Sequence, residues 1–234
     1  MISFLLACGL GAAAVFITQR TAANKTLTWI GHHQPEFYHA LGQHLLMSGV
    51  SMTLALALGL PLAILIVNQS RLAFGVINGV SAMRTLPSLA ILAIMMPVLG
   101  IGLWPSIVAL TVLALPPILL NAYVGLRDVD PDVVEAAIGM GMSRGQVLRR
   151  IRISLAAPAM FAGARTASVQ VLAGATLAPF IGGGGLGDFI VTGVSIMDTS
   201  RMLVGAVPIA LLALGAEFIL GLTEKLLFAE RATA

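Results

Sequence analysis

The sequence predicts an all-α, polytopic membrane protein with about six transmembrane helices. Hydrophobic residues make up 58% of the 234-residue chain and charged residues only 10%, against roughly 25% charged residues in soluble domains. The mean hydropathy is +0.99. Six apolar runs can be drawn, at about 2–18, 45–67, 85–102, 104–122, 157–181 and 202–222, each long enough or nearly so to cross ~30 Å of hydrocarbon. A backbone surrounded by lipid must satisfy its own hydrogen bonds, so helix is the default for each.

The first run lacks the basic start and small-residue cleavage site of a signal peptide and reads as a span. The fourth is the best defined. Trp104 and Tyr123 bracket it, and their separation corresponds to about 28 Å of helix, the distance between the two aromatic belts of a bilayer. The cytoplasmic side should be the more basic one. Placing 68–84, 123–156 and the C-terminal tail there puts Arg71, Arg84, Arg127, Arg144, Arg149, Arg150, Arg152, Lys225 and Arg231 inside, against Arg20, Lys25 and Arg201 outside. Both termini are then cytoplasmic, and the segment from Arg20 to Gln43 becomes an extracytoplasmic loop. The resulting organisation is an N-terminal span and loop (1–44), a transmembrane domain (45–225) with a cytoplasmic loop at 126–156, and a short cytoplasmic tail (226–234).

Several chemistries find no support. The net charge of +3 comes from basic residues flanking spans, so no nucleic-acid partner is expected. Cys8 is the only cysteine, which excludes an intrachain disulfide. His32, His33 and His39 in the loop, with His44 at the mouth of the second span, have irregular spacing and no carboxylate or cysteine company, and read as ordinary histidines rather than metal ligands. No nucleophile–base set falls within the spans, so a membrane enzyme is disfavoured.

The stretch "DVDPDVVEAAIGMGMSRGQVLRRIRIS" (128–154) interrupts the apolar pattern with Asp128, Asp130, Asp132, Glu135, Arg144, Arg149, Arg150 and Arg152. Asp130-Pro131 is a helix start, with an acid at the cap and a proline in the first turn. Val134, Ala137 and Ile138 fall on one narrow apolar face. Gly139 weakens the helix, and Gly141 suits the left-handed residue of a helix stop. Ser143 and Gln146 have capping-box spacing and open a second helix, with Val147, Leu148 and Ile151 on one side. The prediction is two short cytoplasmic helices joined by a glycine elbow. Small residues on the first of them, Ala136, Ala137 and Gly139, invite close approach of another protein, whereas a lipid-lying connector has little use for them.

Glu135-Ala136-Ala137, followed by Gly141 and Ile151, resembles the EAA loop of bacterial ABC-importer permeases. The stretches "TLPSLAILAIMMPVLGIGLWPSIVALTVLALPPILLNAYVGLRDVDPDVVEAAIGMGMSRGQVLRRI" and "PAMFAGARTASVQVLAGATLAPFIGGGGLGD" resemble the permease subunits of osmoprotectant importers for glycine betaine, choline, carnitine and related solutes. The likeness covers roughly residues 45–225. It implies a MetI-like permease core, a second permease subunit, a cytoplasmic ABC ATPase dimer and an extracytoplasmic solute-binding protein. The coupling residues it implies are Val134, Glu135, Ala136, Ala137, Gly139, Met140, Gly141, Ser143, Arg144 and Val147. The family pattern ends Ile-x-Leu-Pro, whereas this chain has Ile151-Arg152-Ile153-Ser154 and its next proline at Pro158, so the bend into the fifth span is expected about one turn later. The chain lacks a Gly-Lys-Ser/Thr phosphate cradle, since neither Lys25 nor Lys225 follows a glycine. This chain is therefore expected to be no enzyme and to bind no cofactor, with ATP and Mg used by the partner ATPase.

Candidate gate and pathway residues are Pro87, Ser88, Arg165, Thr176, Phe180, Gly182, Gly184 and Glu217. "GGGGLG" (182–187) matches the GxGxxG dinucleotide pattern but follows no strand, so it reads either as an outer gate or hinge or as plain turn chemistry. Phe180 is expected to be a packed core residue. Arg165 and Glu217 lie at similar depths and either pair with one another or snorkel separately. Met95 and Met96 read as lipid-facing or core-filling. No aromatic cage for a quaternary ammonium is visible within the spans, which places selectivity in the binding protein. Competing readings are an ABC permease for another small solute, such as an amino acid or methionine, and an ion-coupled secondary carrier. The carrier would need acids in mid-span, and the sole candidate, Glu217, lies near the end of its run.

Overall fold

The computed structural model describes residues 24–228, all helices and connections. The first expected span, Cys8 and the last six residues lie outside them. Residues 24–32 are helical (α1), followed by α2 (Gln34–Ile66), α3 (Ser70–Met83), α4 (Ser88–Leu99), α5 (Leu103–Arg127), α6 (Pro131–Gly139), α7 (Arg144–Gln146), a π-helix (Val147–Arg152), α8 (Ile153–Gly174), a 3-10 helix (Ala175–Ile181), α9 (Gly187–Ser195) and α10 (Thr199–Phe228).

Among the described residues three helices, α2, α5 and α10, are long and apolar enough to cross a membrane, or four spans if α3 and α4 count as one. This differs from the expected count for three reasons. The first run is not described. The third falls on α4, whose 12 residues reach only about 18 Å. It is joined to α3 through a 103° bend at Arg84–Pro87, where proline cannot continue the helix before it. The fifth is α8, whose 22 residues span about 33 Å but include Arg165, Thr166, Ser168 and Gln170.

Helix α5 is the axis of the fold. Its buried residues run from Pro105 to Leu126, and α2, α4 and α8 pack around it in one apolar core with Met47, Ile91, Leu92, Ile107, Leu110, Ile118 and Val171. The α5–α8 seam depends on small residues, as helix association in lipid commonly does. A Cβ on Gly163 would lie 2.7 Å from the Pro117 carbonyl oxygen and 2.8 Å from Asn121 Cβ, and one on Gly125 would lie 2.6 Å from Ala159 Cβ. The Asn121 side-chain amide donates to that same Pro117 carbonyl at 2.7 Å.

The described part of the expected loop from Arg20 to Gln43 is helical apart from His33, which separates α1 from α2. Pro35 sits in the first turn of α2 with Glu36 beside it, the same start signal as Asp130-Pro131. These early residues pack on α9 and α10. Thr26 Oγ1 donates to the Ser200 carbonyl at 3.1 Å, and Trp29 meets Phe189 edge-on at 5.2 Å. His33 stacks on the Trp29 ring at 4.4 Å, and the Arg201 guanidinium lies 5.6 Å from its centroid. The Trp29 ring is thus already engaged by the chain's own side chains. His44, expected at the mouth of the second span, is a core residue. It is fully buried in α2, with Nε2 3.2 Å from the Leu172 carbonyl oxygen.

Candidate coupling loop and solute pathway

One end of the bundle carries α6. Asp130 caps it by accepting the Asp132 N–H at 2.9 Å, with Pro131 in the first turn. The helix stops as its sequence demands. The Gly141 N–H donates to the Ile138 carbonyl at 2.9 Å and the Met142 N–H to the Ala137 carbonyl at 3.1 Å. These two bonds form a Schellman motif, with Gly141 at φ +89°. The capping box is present too: Gln146 Oε1 accepts the Ser143 N–H at 2.8 Å, and Ser143 Oγ accepts the Gln146 N–H at 3.4 Å.

Beyond that box the structure departs from two separate short helices. Residues 144–174 form one continuous helix, because α7 passes through the π-helix into α8. Pro158 lies inside α8, so the helix is unbroken at the position where the bend is expected. The π stretch was not foreseen; it has no one-residue signature, although such turns are frequent at functional sites. Arg152 Nη1 donates to Asn68 Oδ1 at 3.1 Å, which ties this helix to the α2–α3 connection. A cleft of about 420 Å³ lies between Asn68, Val134, Ile138, Val147, Leu148 and the two arginines Arg144 and Arg152.

The expected coupling residues divide into two groups. Ala137 and Val147 are buried, at 1% and 3% exposure, and seat α6 on its own chain. Glu135, Ala136, Gly139, Met140, Gly141, Ser143 and Arg144 are exposed and Val134 is half-buried. The small-residue surface offered outward is therefore Ala136 and Gly139, and Ala137 faces inward, contrary to the expectation that it lies open to a partner. A Cβ on Gly141 would meet nothing within 4 Å, so its requirement is purely conformational. Gly141→Ala is expected to destabilise the elbow by about 1–2 kcal/mol, the cost of a left-handed non-glycine residue, read as faster amide exchange confined to 137–143.

At the other end, the glycine run closes the 3-10 helix with a second Schellman motif. The Gly182 N–H donates to the Pro179 carbonyl at 3.0 Å and the Gly183 N–H to the Ala178 carbonyl at 2.9 Å. Gly182, Gly184 and Gly185 have φ of 76°, 72° and 94°. The loop is held between α2 and the start of α5: the Gly185 N–H donates to Gln43 Oε1 at 3.2 Å, and the Gly102 N–H donates to the Ile181 carbonyl at 2.7 Å. A side chain on Gly183 would strike Ser106, one on Gly187 the Thr176 carbonyl, and one on Gly205 the Leu186 carbonyl. Thr176, half-buried, and Phe180 lie just before the loop. Phe180 is 54% exposed and so is not the packed core residue expected. Pro87 and Ser88 stand apart from these, at the start of α4 beyond the α3–α4 bend.

Arg165 and Glu217 do meet. Arg165 Nη2 lies 2.6 Å from Glu217 Oε1, and its Nη1 lies 2.8 Å from Glu224 Oε2. Glu224 was missed by the sequence reading. Its signal was legible, because Glu217 and Glu224 are seven residues apart and so share one helix face.

Residues 50–228 match the family of binding-protein-dependent transport system inner membrane components. The chain belongs to this family. Among curated relatives of this inner-membrane component, it is 38% identical over 202 residues to the glycine betaine/carnitine/choline transport system permease protein OpuCB of Bacillus subtilis, covering 86% of this chain and 93% of that one. It is 43% identical over 182 residues to the carnitine transport permease protein OpuCB of Listeria monocytogenes, covering 78% and 84%. Its fold is shared with a solved structure of the MetNI methionine ABC transporter in inward-facing conformations, at a TM-score of 0.73, 23% identity, and coverage of 80% of this chain and 94% of that chain. A crystal structure of an amino acid ABC transporter with histidines aligns at a TM-score of 0.71 and 19% identity, over 85% and 97%.

Proposed function

We propose that this chain is a permease subunit of an ATP-driven importer that carries small quaternary-ammonium osmoprotectants, such as glycine betaine, choline or carnitine, into the cell. One observation carries the solute class: relatives 37–43% identical over most of the chain bear names for transport of these solutes. The transporter comprises two permease subunits in the inner membrane, a cytoplasmic ATPase dimer that uses ATP and Mg, and an extracytoplasmic binding protein. The core at 45–225 forms the passage, and both termini lie in the cytoplasm. Exposed Ala136 and Gly139 let α6 approach the ATPase closely, Glu135 positions it, and Gly141 forms the elbow. Closure of the ATPases moves α6, and the spans exchange outward-open and inward-open arrangements, an equilibrium biased by nucleotide and loaded binding protein. Pro87, Ser88, Thr176, Phe180, Gly182 and Gly184 belong to the gated path. With no aromatic cage visible within the spans, the passage binds solute weakly and the binding protein selects it.

The test is uptake of labelled glycine betaine, choline and carnitine into proteoliposomes that contain the chain with its ATPase and binding protein. Uptake is expected to require ATP and the binding protein and to persist when ion gradients are collapsed. Uptake that runs on an ion gradient without ATP, or none of any of the three solutes, rejects the proposal.

A further inference from the structure

Arg165, Glu217 and Glu224 place three charges on helices expected to lie in the membrane, at side-chain exposures of 36%, 44% and 25%. Charges at such depth are costly and persist when they pair or face water. Here they also join two helices. The guanidinium reaches two carboxylates seven residues apart, about 10 Å along α10. Gly221 lies between them, and a Cβ there would be in ordinary van der Waals contact with Arg165 Nη1, at 3.6 Å. One turn toward the α6 end, Phe161 meets Phe228 edge-on at 6.2 Å. The α8–α10 seam is thus antiparallel, and a fork bonded at both prongs holds its register.

Both helices lead from the α6 end to the glycine run. Helix α8 is continuous with the helix opened by Ser143 and arrives through the 3-10 helix, where the Thr176 carbonyl abuts Gly187. Helix α10 arrives through Gly205, which abuts the Leu186 carbonyl. Without a lock between them, displacement of α6 would act on one side of the glycine run alone.

We infer that Arg165 is a positioning residue for transport: by pairing Glu217 and Glu224 it makes α8 and α10 one rigid body, so that motion at α6 reaches the glycine run through both helices. This rests on the function proposed above. Parting the guanidinium from two carboxylates at once breaks several charge-assisted bonds between the helices, so the fork opposes shear, by less than a fully buried pair would at these exposures.

The experiment compares Arg165→Met, Arg165→Lys and Glu224→Gln in the reconstituted complex, reading solute delivered per ATP hydrolysed alongside ATPase association and thermal stability. Arg165→Met is expected to lower the transport-to-hydrolysis ratio by about tenfold, within the usual range of coupling between sites, with α6 still binding the ATPase. Arg165→Lys keeps the charge but loses the fork and should fall between Met and wild type. Glu224→Gln removes one prong, and its ratio should also fall, so the inference stays testable if Arg165→Met fails to assemble. A charge exchange must include all three positions: Arg165→Glu with Glu217→Arg and Glu224→Gln is expected to recover coupling lost in Arg165→Glu. Unchanged ratios in Arg165→Lys and Glu224→Gln, or losses that track thermal stability alone, overturn the inference. A wild-type complex that moves no osmoprotectant with ATP would instead overturn the proposed function.

Discussion

Ala137→Arg is expected to abolish transport and to unseat α6 from its own chain. The residue is 1% exposed, and its carbonyl closes the Schellman motif through Met142. An arginine there must either bury an unpaired guanidinium, at a cost of several kcal/mol, or push α6 off the π-helix. Ala136→Arg is the informative companion, because that side chain points outward. Both variants should lose the ATPase in pull-down. Only Ala137→Arg should also open the peptide bonds of 128–146 to limited proteolysis. Equal protease resistance in the two would mean that Ala137 does not seat the helix.

Gly163→Leu is expected to prevent accumulation of the folded chain in the membrane. Even a Cβ at this position falls 2.7 Å from a backbone carbonyl of α5, and backbone cannot step aside as a side chain can. Four added carbons would force α5 and α8 apart along their main seam, at a cost of roughly 3 kcal/mol or more. Gly215→Leu is the control, since a Cβ there meets nothing within 4 Å. Yield in the membrane fraction and melting temperature should collapse for the first and hold for the second. Similar melting temperatures for both would contradict the close approach at Gly163.

The sequence made local features legible where one residue type has one physical use. Asp130 and Pro131, the Ser143–Gln146 box and the left-handed Gly141 all stand where their chemistry put them. The Arg165–Glu217 contact was also foreseeable, because ions in apolar runs need partners. Besides the π stretch and Glu224, three things were not read. The start of α2 at Gln34-Pro35-Glu36 carries the same signal as α6, but the surrounding polar residues masked it as loop. The bend at the start of the third apolar run is a tertiary outcome: Pro87 permits it, while packing of Ile91 and Leu92 on α5 fixes it. Ala137 shares the apolar face with Val134, so its burial was legible; reading it also as a surface open to a partner missed that this face is taken by the chain's own π-helix.

The widened turns at Val147–Arg152 fix more than local geometry. A residue in an ordinary helix advances the chain by about 100° around its axis. Adding or removing one between Ser143 and Ile153 would therefore swing α6 to a different compass bearing around α8, away from Asn68 and from whatever approaches from below. Length in this short stretch is an angular specification, and an insertion that a surface turn would absorb has nowhere to dissipate here.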